Sequence, residues 1–200
     1  MFREKREMFS LQDLLGHEQG NQAVNQMSNQ IGAEPNVVNS AISMALPMIV
    51  GAMANKATQP QVTQAITNND GSLLDNLGGY LGNPSQATSM GGNILGMLLG
   101  GGQQTAAAQQ ISNQSGLNMG QVASLMTMLA PIALAYFGRQ QSQSNLDAGG
   151  IGAMLGQQQQ QIQQQQPGMA GMLGSILDSN HDGSSMDDLM SLAGQFLNRR

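Results

Sequence analysis

An all-α fold is predicted for this 200-residue chain: two repeated helix-turn-helix units packed as a multihelical bundle, with flexible Gly- and Gln-rich segments. Three observations carry that prediction. Apolar residues recur every three to four positions. A pattern of helix, glycine turn and helix returns at one fixed offset. The apolar set, 40% of the chain, is aliphatic and Met-rich, with sixteen Met, 3% aromatics and no Trp, which describes a pliable helical core. A chain of this length makes one compact domain or two small ones.

Residues 1–10 are expected to be a disordered N-terminus. Their charged start, Met1-Phe2-Arg3-Glu4-Lys5-Arg6-Glu7, leads into no apolar signal region, and Met8 is an alternative start. Leu11, Leu14 and Leu15 open a short amphipathic helix, which Gly20 is expected to interrupt before Val24, Met27 and Ile31 continue the spacing to a stop at Gly32. Pro35 suits the first turn of the next helix. Val37, Val38, Ala41, Ile42, Ala45, Leu46, Ile49 and Val50 give that helix a wide apolar face, and Pro47 is expected to kink it. This is the pattern of a buried helix.

The same arrangement returns 84 residues later. Ser28-Asn29-Gln30-Ile31-Gly32 matches Ser112-Asn113-Gln114-Ser115-Gly116, and without gaps Val38 pairs with Val122, Ser40 with Ser124, Met44 with Met128 and Pro47 with Pro131. A unit of this kind cannot cover its own apolar face, so two copies are expected to pack together. A second, shorter similarity relates residues 70–77 to 182–189. Ser72 and Ser184 read as N-caps there, with Asp75 and Asp187 three residues on in the capping-box position.

The glycine-rich stretches 91–102 and 149–156 read as short helices broken at either end. Residues 11–156 form the repeat domain. The Gln run from Gln157 to Gln166, with Pro167 and Gly168, reads as a mobile linker over 157–168 without core contacts, leading to a C-terminal helical segment over 169–200.

The four blocks Leu11-Gln12-Asp13-Leu14-Leu15-Gly16, Ala45-Leu46-Pro47-Met48-Ile49-Val50-Gly51-Ala52-Met53, Gly91-Gly92-Asn93-Ile94-Leu95-Gly96-Met97-Leu98-Leu99-Gly100 and Leu177-Asp178-Ser179-Asn180-His181-Asp182-Gly183-Ser184 together resemble bacterial proteins carrying the DUF937 domain. The resemblance spans most of the chain and implies a helical fold without a known activity. The glycine block ends in Met97-Leu98-Leu99-Gly100 where many members carry a His and a Phe, so no role of those side chains transfers.

Chemistry is excluded more readily than assigned. The absence of Cys removes thiolate and disulfide chemistry and points to the cytoplasm. His17 and His181 sit in polar surroundings, and neither a nucleophile elbow nor a phosphate loop occurs, so no enzyme activity and no required cofactor is expected. A net charge of −5 with seven Lys plus Arg argues against nucleic-acid binding. Asn36, Asn39 and Ser40, or Asn118, Gln121 and Ser124, would be the reading residues of a helix-turn-helix, but none is basic.

Residues 122–137 and the spacing of Gly92, Gly96 and Gly100 suggest membrane helices, yet the apolar stretches read as too short and interrupted to span. The sequence therefore predicts a non-catalytic interaction or scaffold protein with an unknown protein partner or self-association. Nucleic-acid binding and peripheral membrane attachment are the alternatives.

One ion site is predicted. Asp178, Asn180 and Asp182 alternate ahead of Gly183, as oxygen ligands do in the first half of a calcium loop. Leu189 stands where an EF-hand places its bidentate Glu, so Asp187 closes a shorter loop, with the Ser184 carbonyl as a further ligand. The arrangement resembles the Excalibur calcium-binding motif with Asp for its Glu and Met186 for its Cys. Its upstream relative has Ile66 at the first ligand position and should not bind.

Overall fold

A computed structural model describes residues 11–57, 59–69, 71–146 and 148–165. These residues are helical nearly throughout. The N-terminal part comprises α1 (Leu11–Leu15), α2 (His17–Ile31), α3 (Pro35–Asn55) and α4 (Pro60–Thr67). The short α5 (Ser72–Asp75) and α6 (Leu77–Leu81) follow, then α7 (Pro84–Leu98), α8 (Gly100–Ser115), α9 (Met119–Ser144) and α10 (Ala148–Gln165).

The two longest apolar helices, α3 and α9, form the centre and pack on each other. Residues 45–53 of α3 and 128–135 of α9 are buried without interruption, so each helix is enclosed on every side there. That is what a helix apolar all round requires. The remaining helices are the cover: α7 lies along α9, α4 and α5 also rest on α9, and α8 and α10 rest on α3. Leu46, Ile49, Leu125 and Leu129 are fully buried, each side chain contributing roughly 1.5–3 kcal/mol by removal from water.

Both helix-ending glycines lie where the spacing puts them. Gly32 (φ 66°, ψ 46°) and Gly116 (φ 81°, ψ 1°) take the left-handed conformation, and their N–H groups donate to the Ser28 and Ser112 carbonyls. A side chain would be strained at either position. Helix α9 has a full capping box, in which the Gln121 N–H donates to Asn118 Oδ1 at 2.9 Å and the Asn118 N–H donates to Gln121 Oε1 at 3.0 Å. Gln121 Nε2 also donates to the Ile31 carbonyl at 2.9 Å, tying the start of α9 to the end of α2. Pro35 opens α3 as expected.

Several local expectations need correction. The first break falls at Gly16 (φ 85°), and Gly20 is a buried residue inside α2. It is glycine because α1 folds back on α2: a Cβ at Gly20 would lie 2.6 Å from Gln12 Cα. Ser72 is not an N-cap; Gly71 occupies that position, and the Asp75 side chain pairs with Arg139. In the stretch 91–102, α7 continues to Leu98 and only Leu99 separates it from α8, whose first residue is Gly100 (φ 69°).

Residues 157–165 of the Gln run continue α10, because Gln propagates a helix that 148–156 has already begun. Gln157 and Gln160 are exposed. By length and composition α3, with 21 residues, and α9, with 26, are long and apolar enough to cross a bilayer, as buried core helices also are, and 67% of each apolar window is buried in the fold.

Candidate functional site

A cleft of about 390 Å³ runs between α2 and the α5–α6 segment. Its α2 wall is Gln19, Gln22, Asn25 and Gln26; its other wall is Leu74, Asp75, Leu77 and Gly78. A second hollow of about 200 Å³ continues it, sharing Gln19 and Leu74 and adding Leu14, Leu15, Tyr136 and Arg139 among its lining. Asp75 lines one hollow and Arg139 the other. The two are joined by an ion pair with Arg139 Nη2 2.5 Å from Asp75 Oδ1, so the charges cancel within the cleft.

Helical geometry explains the lining. Ala23, Val24 and Met27 turn one face of α2 into the core, which leaves Gln19, Gln22 and Gln26, spaced three and four apart, on a common outer face. Leu74 and Leu77 are almost fully buried and form an apolar floor. At Gly78 the two walls come together: a Cβ there would lie 4.0 Å from Gln26 Nε2, in van der Waals contact. At the rim, Gln140 Nε2 donates to the Tyr136 hydroxyl at 3.1 Å.

The lining contains no His, Ser, Thr or Cys; its titratable side chains are Asp75, Tyr136 and Arg139. Among the described residues no group of three or more His, Cys, Asp or Glu could hold a metal ion. Burial pushes the Tyr80 phenol upward in pKa, and its hydroxyl is 3.4 Å from the Met128 carbonyl, a structural position inside the core. Lys56 Nζ donates to the Met97 carbonyl at 2.9 Å, capping the end of α7. The Asp75–Arg139 pair is solvent-exposed, at 41% for Arg139 and 64% for Asp75. Asp75→Asn is therefore expected to lower the unfolding free energy by no more than about 1 kcal/mol in urea titrations.

The calcium residues Asp178, Asn180, Asp182, Ser184 and Asp187, and His181, lie outside the described residues. His17 is exposed at the first position of α2. The residues weighed for base reading are largely committed elsewhere. Asn118 and Gln121 form the α9 cap, Ser40 Oγ donates to the Asn36 carbonyl, and Asn39 Oδ1 is shielded from solvent without a hydrogen-bond partner. Sequence reasoning missed the cleft. The signal was the amide spacing at 19, 22 and 26, which reads as low-complexity polar filler until α5 and α6 are seen facing it.

No curated protein and no solved structure matches the chain. A family model described as "Bacterial protein of unknown function (DUF937)" matches residues 13–140, well over half of the chain, and the protein belongs to that family.

Proposed function

We propose that the protein is a non-catalytic, cytoplasmic interaction or scaffold protein built from two copies of one helix-turn-helix unit, which docks a protein partner or a second copy of itself. The observation that carries this reading is the chemistry of the cleft: a row of amides, apolar side chains and a carboxylate, Asp75, that is engaged by Arg139 are groups suited to binding. Nucleic acid is disfavoured because the only described Lys and Arg, Lys56 and Arg139, are held by Met97 and Asp75.

The repeat is supported by matched ends. Helices α2 and α8 stop at 31 and 115, α3 and α9 start at 35 and 119, and Pro47 and Pro131 fall at the same distance along them. Large and small side chains also alternate between the copies. Ala41, Ala45, Leu46 and Ile49 stand where the second copy has Leu125, Leu129, Ala130 and Ala133, all fully buried.

The test is affinity capture from the native cell with the full chain and with a Gln22→Ala, Gln26→Ala variant as baits. A protein retained by the first and lost by the second supports the reading. Turnover of a substrate by the purified chain, or identical captures by the two baits, overturns it.

The proposal includes a weak calcium loop in which Asp178, Asn180, Asp182 and Asp187 supply side-chain oxygens and Ser184 its carbonyl. The spacing supports it. Calorimetric titration is expected to give a dissociation constant of about 10⁻⁴ M, since a short loop closed by Asp is a poor cage. Binding is expected to vanish in Asp178→Ala with Asp182→Ala, and heat that survives both changes assigns the motif to a capped turn.

A further inference from the structure

We propose that the cleft between α2 and α5–α6 takes a neutral, polyhydroxylated ligand, a carbohydrate of one to two sugar rings. The inference rests on the cleft being a binding feature, and adds the chemical class of what it binds. Four carboxamides on one wall, Gln19, Gln22, Asn25 and Gln26, each present a donor and an acceptor a short distance apart. Hydroxyl groups have the same dual character, so a vicinal pair on a sugar ring can meet both ends of one amide. From Gln19 to Gln26 the wall rises roughly 10 Å at 1.5 Å per residue, the scale of a disaccharide rather than a single small molecule.

Charge selects against the other classes. Asp75 and Arg139 neutralise each other across the two hollows, so a phosphate or a carboxylate would find no surplus cation and a metal ion no surplus anion. The floor of Leu74 and Leu77 gives the C–H face of a ring an apolar surface, and Tyr136 sets an aromatic edge in the adjoining hollow. The volume of about 390 Å³ lies at the small end of ligand sites. Gly78 closes the Gln26 end of the cleft, where a Cβ would already touch Gln26 Nε2 at 4.0 Å, so a ring lies toward Gln19 and Gln22.

The test is two-dimensional NMR of the isotopically labelled full chain, titrated with maltotriose, cellotriose and chitotriose, with glucose 6-phosphate as an anionic probe. Saturable shifts confined to residues 19–26 and 74–78 with at least one neutral trisaccharide are expected. Gly78→Leu, which fills the cleft, should abolish them. Gln22→Ala with Gln26→Ala should weaken binding on the order of tenfold or more, since two hydrogen bonds are lost. Both variants change exposed positions and should keep the spectrum of the folded protein elsewhere.

No cleft shifts with any of the three trisaccharides, or shifts that persist in Gly78→Leu, overturn the inference. So does stronger binding of glucose 6-phosphate than of the neutral sugars. If sugars fail while a captured protein is still lost on Gln22→Ala with Gln26→Ala, the ligand class is wrong and the interaction reading stands. If a trisaccharide binds and is hydrolysed, the ligand class stands and the non-catalytic reading falls.

Discussion

Gly91→Ala is expected to lower the unfolding free energy by roughly 3 kcal/mol or more, whereas Gly92→Ala, one residue on, is expected to raise it by about 0.5–1 kcal/mol. The opposite signs follow from what each glycine faces. A Cβ at Gly91 would lie 1.7 Å from the Thr127 carbonyl oxygen on α9, a backbone atom that no side-chain rotation can move. Pro131, four residues after Thr127, has no N–H to give that carbonyl its usual helical bond. The Cα hydrogen of Gly91 points at it instead, a weak contact that only glycine can make at this closeness.

To admit a methyl group, α7 would have to leave α9 along its most extensive packing surface. Gly92 faces open space, so Ala there only removes conformational freedom from the unfolded chain and improves helix propensity. Urea unfolding of the two variants, with equal slopes, decides the matter. A Gly91→Ala midpoint within error of the wild type would mean that α7 docks loosely.

The architecture was legible because it rests on local signals that act within a turn or two. Pro35 and Gly32 bound α3, and the apolar run from Val37 to Val50 is too wide for a surface helix, so the central burial of residues 45–53 follows from the sequence. Two of the misreadings involve a residue whose role depends on a distant partner. Gly20 looks like a breaker because its neighbour across the gap, Gln12, becomes its neighbour only after α1 folds back. Asp75 looks like half of a capping box because Arg139 is 64 residues away.

The cleft was illegible for the same reason. Gln19, Gln22 and Gln26 carry a spacing that marks one face of a helix, but nothing in the sequence places residues 74–78 opposite them, since that depends on how the short α5 and α6 settle against α2 and α9. A stripe of amides on one helix acquires a function only when a second wall stands across from it. The predicted calcium loop, by contrast, is a local signal, and it lies in residues 178–187.

Leu46→Ala is expected to lower the unfolding free energy by roughly 2–5 kcal/mol, because Leu46 is fully buried in the enclosed half of α3 and its removal leaves a cavity that rigid neighbours fill only partly. Ala130→Leu alone is expected to cost about 1–3 kcal/mol by overpacking the matching half of α9. The double variant should cost less than the two added together. Its two sites hold a Leu and an Ala at the same distance along α3 and α9, so exchanging them restores the total side-chain volume of the packed central helices. A double-mutant cycle reads this directly, with an expected coupling of about 0.5–3 kcal/mol in the compensating direction. Additivity within about 0.5 kcal/mol would show that Leu46 and Ala130 fill separate parts of the core, and that the exchange of Leu and Ala between α3 and α9 is not an interlocking arrangement.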